Sequence, residues 1–147
     1  MSLPEEKELV AQRNYSAAEI EALYSFAYFQ LDTGQLRTAD SVLDGLTEVA
    51  PDYYPAWLAK AFVKMLLEDY EAARICCDKV IKIEPNCSEA LVYLILCCFQ
   101  SSDRQSAGTF LGELGERISA GLVSHPKIPA IYKALMLRYQ SELNLPA

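Results

Sequence analysis

Three alanines, Ala39, Ala73 and Ala107, stand 34 residues apart, and that interval constrains the chain more than any other feature. Pro51 and Pro85 keep the same distance, as do Leu23 and Trp57, and Ala27 and Ala61. A period of this length marks a small supersecondary unit that cannot bury its apolar face alone, so successive units must stack. No stretch shows sustained alternation of apolar and polar residues, so no strands are expected and the unit must be helical.

The interval is that of the tetratricopeptide repeat, a helix–turn–helix unit, and the chain is expected to be an all-α solenoid. Its units read as 20–53, 54–87 and 88–121, inside a repeat domain of 16–147 that follows an N-terminal arm, 1–15. Small residues at the periodic positions let the two helices of a unit approach closely, and the prolines end the second helix. "SAAE" at 16–19 is a capping box, and "DTG" at 32–34 is a turn in which Gly34 can take positive φ. Asp52 and Asn86 are candidate N-caps, and "SSD" at 101–103 is the third turn. Unit three is degenerate: Ile95 replaces the alanine of the other units, Ser119 replaces the proline, and Gly108, Gly112 and Gly115 interrupt its second helix. Such glycines weaken a helix unless a neighbouring helix packs closely on them, the reading we prefer. Residues 130–143 form an amphipathic helix expected to cap the array, and 4–13 a short charged helix.

Chemistry is sparse. The net charge of −7 and the scattered Lys and Arg argue against nucleic acid and anionic membrane surfaces. The most apolar window, 90–99, is too short to span a bilayer, and the acidic start has no secretory h-region. Cys76, Cys77, Cys87, Cys97 and Cys98 make a poor disulfide or metal framework, and read as buried thiols in a reducing compartment. His125 sits in a proline-flanked loop without a nucleophile partner, and "GTFLGELG" at 108–115 lacks a phosphate-loop ending. Neither an enzyme nor a cofactor or metal site is expected.

The register assigns faces. In unit one Leu23, Phe26, Ala27 and Gln30 occupy positions that pack within the array, so Phe26 is expected in the core. The adjoining face lines the concave groove: Tyr24, Tyr28 and Leu31, then Leu58, Phe62 and Met65, then Val92, Leu96 and Phe99. Nine apolar or aromatic residues on a face usually open to solvent form too large a patch to stay uncovered. A foreign peptide, the chain's own termini or a second copy could fill it. The groove lacks the Lys, Asn and Arg of a carboxylate clamp, with Glu89 in unit three instead, so an acidic tail is a poor ligand and an apolar segment a good one. Phe29 is left over, and its angle directs it toward the N-terminal segment.

Residues 20–46 resemble the first repeat of class II type III secretion chaperones, whose pattern is close to "LYxLAFxxYxxGxYxxA". Leu23, Tyr24, Ala27, Tyr28, Gly34 and Ala39 match it, with Tyr28 in place of its Phe and Leu31 and Leu36 in place of frequent tyrosines. The resemblance extends more weakly over 16–143. It implies a bacterial cytoplasmic chaperone, without a cofactor, that holds an apolar segment of a secreted client, a translocator or, in a related group, a needle subunit. It also implies a homodimer or a second small chaperone as partner. Departures are the short N-terminal arm, Lys60 and Lys64 at positions that normally pack, and Glu68 in place of the turn glycine. A general repeat scaffold that binds a partner's helix is the alternative.

Overall fold

The computed structural model describes residues 15–144, and the N-terminal charged helix expected at 4–13 lies outside them. The described residues form seven helices: α1 (Ala17–Asp32), α2 (Leu36–Val49), α3 (Tyr54–Leu66), α4 (Tyr70–Ile83), α5 (Ser88–Gln100), α6 (Arg104–Ser119) and α7 (Ile128–Leu143). Consecutive helices pack on one another, and α1, α3 and α5 also touch in sequence to build one wall of a solenoid.

Local chemistry explains the punctuation. Ser16 and Glu19 exchange both bonds of a capping box, which seats the first turn of α1. The turns inside the three units are superimposable in kind: Gly34, Glu68 and Ser102 all adopt positive φ, at 80°, 62° and 58°. Each is followed by a backbone N–H that reaches back five residues, Gln35 to Gln30, Asp69 to Lys64 and Asp103 to Cys98, the signature of a Schellman turn. Glycine therefore is not required at the second turn; Glu68 carries the left-handed conformation at the cost of strain. Asp52 and Asn86 do not cap. Tyr53 and Cys87 occupy those N-cap positions without a side-chain capping bond, whereas Asp69 and Asp103 cap the second helices of their units. Pro51 instead accepts the indole N–H of Trp57 on its carbonyl at 2.8 Å.

Burial divides into two clusters that share α3. One joins Ala27, Leu31, Leu43 and Leu46 to Ala56, Ala59 and Val63. The other joins Ala61 to α4, α5, α6 and the capping helix, around Leu91, Leu94, Ile95, Leu111 and Leu114. All five cysteines are buried free thiols. Burial raises their pKa values; Cys87 and Cys97 reach about 11.

Two departures noted in the sequence find physical reasons. Lys60 and Lys64 do pack, because each ammonium meets a carboxylate of α2: Lys60 with Asp44 and Lys64 with Asp40, both at 2.8 Å. Lys60 also lies 5.1 Å over the Trp57 ring. The glycines of α6 admit tyrosines of α7. A Cβ on Gly108 would stand 2.5 Å from the Tyr139 hydroxyl, and one on Gly115 2.6 Å from that of Tyr132; Gly112 faces open space. Close packing thus accounts for two of the three.

Phe26 corrects the core expectation: it is 48% exposed. Its counterparts one and two units on are Lys60, held against Asp44, and Leu94, fully buried. The position is interior only where a preceding unit supplies the covering helix, and no such helix precedes α1 among the described residues.

Candidate functional site: an aromatic concave face

The concave face is built from the first helix of each unit, where a +4, +3 spacing places one stripe per helix. Tyr24 makes edge contacts with Tyr28 at 5.1 Å and with Tyr53 at 5.6 Å. Phe62 stacks on Tyr93 at 5.8 Å, with ring planes 23° apart, and so bridges α3 and α5. Tyr24 is half-buried, Tyr28 is 40% exposed, and Leu58, Phe62, Met65 and Leu96 retain partial exposure. These rings lie beside the partly exposed side chains of Leu58, Met65 and Leu96, a surface suited to side chains that are mostly hydrocarbon.

Three of the nine sequence-selected residues do not reach that surface. Leu31 is buried against Ala59 and Val63 in the unit-one cluster. Val92 and Phe99, each 6% exposed, are packed into the cluster that includes α7, and the Arg138 guanidinium covers the Phe99 ring at 4.6 Å. The capping helix therefore closes the stripe in unit three. Tyr53 and Tyr93 were not selected from sequence, since Tyr53 falls in a turn and Tyr93 stands where units one and two have Ser25 and Ala59. Only the ring size at that periodic position hinted that it projects beyond the helix seam.

Electrostatics keep the face neutral in its centre. Burial, followed by the nearby Tyr28, pushes the Tyr93 phenol up to about 12, and the same two causes raise Tyr24 further. Both stay protonated as hydrogen-bond donors throughout physiological pH. Helices α1 and α5 carry Glu19, Glu21, Asp32 and Glu89 and no Lys or Arg; the two lysines of α3 are already paired with α2. His125 is exposed, and its Nδ1 accepts only the Lys127 backbone N–H. Among the described residues, no group of three or more His, Cys, Asp and Glu is placed to hold a metal, and no helix is long and apolar enough to cross a membrane.

Comparison with known proteins agrees with this geometry. Residues 54–87 match the family profile of the tetratricopeptide repeat. The chain matches no curated protein at a significant level. Among solved structures, it is similar to the type III secretion translocator chaperone SycD of Yersinia enterocolitica, in its alternative dimer. The TM-score is 0.78 at 16% identity, over 88% of this chain and 98% of that one. It is similar to PcrH in complex with the chaperone-binding region of PopD, with a TM-score of 0.77 at 17% identity over 88% and 95% of the two chains. A tandem repeat domain of yeast Sti1 in an HSP90 complex gives 0.75 at 16% identity, over 90% of this chain and 52% of that one. At these identities the likeness establishes the fold, a tetratricopeptide-type helical solenoid.

Proposed function

We propose that the protein is a type III secretion chaperone that holds an apolar segment of a secreted client on its concave face and keeps it soluble until export. The observation that carries this reading is the aromatic wall spanning three units, Tyr24 and Tyr28, then Phe62, then Tyr93, whose rings pair with one another and stay partly exposed along the first helices. An extended or short-helical client segment lays a few apolar side chains between successive first helices, with Leu58, Met65 and Leu96 beside the rings. Affinity then rests on a few buried anchors rather than on total area. Such binding needs no nucleotide, metal or catalytic group, so the protein acts by occupancy and not by turnover. Likeness to PcrH holding a chaperone-binding region, and the resemblance of residues 20–46 to the class II chaperone repeat, both support the same reading. The acidic, cation-free character of α1 and α5 disfavours a carboxylate-clamp ligand of the kind an HSP90-binding fold might take.

Co-expression with candidate translocator or needle subunits tests the proposal. A client that is insoluble alone becomes soluble at defined stoichiometry. Tyr28→Glu or Phe62→Glu abolishes capture while leaving helical circular dichroism nearly unchanged. Capture at wild-type strength by both variants would sink the groove assignment. An already stable partner bound without solubilisation would favour the scaffold alternative.

A further inference from the structure

One rim of the concave face, at the start of the first helices, alternates carboxylates with phenol rings. Glu21 and Glu89 hold the same repeat position two periods apart, with Pro55 between them. Glu21 stands three residues before Tyr24 and Glu89 four before Tyr93, so each carboxylate lies on the side of its helix that carries the ring. Tyr53 and Tyr54 open α3 between them, both partly exposed, and Tyr54 begins the stripe that continues with Leu58 and Phe62. These side chains share one neighbourhood. Burial and then the charge of Glu21 raise the Tyr53 phenol; burial, Cys87, Glu84 and Glu89 raise that of Tyr54.

Among the described residues, neither Glu21 nor Glu89 forms an ion pair. Glu89 accepts the Cys87 thiol at 3.5 Å, and His125 borders a crevice with it without bonding to it. The cations nearest the stripe are committed elsewhere, Lys60 and Lys64 to α2, and Arg138 to Glu142 and the Phe99 ring. Water solvates the two carboxylates while the face is open. A client laid across the first helices strips that water away, and a neutral or acidic side chain leaves the cost in place. A Lys or Arg offsets it twice, through the carboxylates and through the negative faces of the phenol rings.

We propose that the client segment carries a Lys or Arg beside its apolar anchors, and that the rim of Glu21, Tyr53, Tyr54 and Glu89 receives this cation. The charge requirement rests on the concave-face reading and adds an orientation to it. The basic residue lies toward the start of the first helices, and the apolar anchors lie over Phe62 and Leu96.

Selection from a random peptide library displayed on phage, against the immobilised full chain, tests it. Peptides captured by the wild type and not by Phe62→Glu are enriched in Lys or Arg next to apolar residues. For such a peptide, Glu21→Gln with Glu89→Gln weakens binding about fivefold to tenfold at low ionic strength, and replacing its basic residue by Gln does the same. The two changes together cost no more than either alone, and about 0.5 M salt removes most of the loss. Groove-dependent peptides without basic residues, or full additivity of the two changes, overturn the charge requirement and leave the apolar groove standing. No groove-dependent peptide at all, whether the chain's own residues or a second copy fills the face, overturns both.

Discussion

The seam between units one and two and the seam between units two and three occupy the same places in the repeat, yet they are made of different materials. At the first, Lys60 and Lys64 of α3 meet Asp44 and Asp40 of α2, and one carboxylate oxygen of Asp40 is buried without a partner. At the second, the equivalent residues of α5 are Leu94 and Cys98, both fully buried. Charged pairs at half-buried positions offset much of their attraction with desolvation, whereas apolar contacts gain from every group removed from water. The first unit, which carries Tyr24 and Tyr28, is therefore attached by the weaker seam. The solenoid is stiff toward α7 and softer toward α1, and the client-facing rings sit partly on the softer end.

Alkali tests this contrast most severely, because it should reverse it. Cys76, Cys77, Cys87 and Cys98 all belong to the cluster of units two and three. Burial raises the thiols of Cys87 and Cys97 from 9.0 to about 11, so the native state holds protons that the unfolded chain releases above pH 9. Stability is full below pH 9 and falls as pH rises through 11, by an amount on the order of a few kcal/mol. Urea titrations in reductant across that range report the loss, and hydrogen exchange should show α4 and α5 opening before α1. Lys64, whose pKa is raised by its hydrogen bond to Asp40, keeps its charge over most of the same range and supports the first seam.

At neutral pH the largest single-residue effects fall on the apolar seam. Leu94→Ala costs about 2–5 kcal/mol in a chemical denaturation curve. Ala61→Trp, at a site with no exposure, overpacks the junction by about 1–3 kcal/mol or more. Asp40→Ala, which strands the Lys64 ammonium, costs about 1–3 kcal/mol, while Asp40→Leu with Lys64→Leu is neutral or stabilising. A double replacement as damaging as the single one would show that the ion pair, and not its desolvation, sets the strength of the seam. Smallest is the glycine series of α6. Gly112→Ala stabilises by about 0.5–1 kcal/mol, whereas Gly108→Ala and Gly115→Ala forfeit that gain by displacing Tyr139 and Tyr132. Thermal melts rank the three.

The period made the helices, their order and the interior positions Ala27, Ala39, Ala61, Ala73 and Ala107 legible, because each is fixed by contact within or between units. What it could not convey is the identity of the neighbour. Phe26 and Leu94 hold the same repeat position, and only the presence of a preceding helix makes one exposed and the other buried. Tyr24 and Val92 likewise share a position, but α7 covers only the second. Asp52 and Asn86 resemble N-caps by residue type, yet the backbone places Tyr53 and Cys87 at those positions. The repeat gives no sign of Tyr93 on this face, because its periodic relatives are Ser25 and Ala59. Repetition thus describes the interior of an array well and its two ends poorly.

The lost proline at 119 has a consequence for growth of the array. In the first two units a proline follows the second helix closely, at 51 and 85; with Ser119 instead, α6 runs on to that residue and stops in a left-handed turn at Gly121. The next helix then docks out of step: Tyr139 meets Gly108, seven residues beyond where two periods from the Lys64–Asp40 contact would place it. A gene duplication that copied residues 88–121 would inherit this slipped junction, and the added unit would not find its seat. Among the described residues, the 34-residue register is thereby broken at this turn.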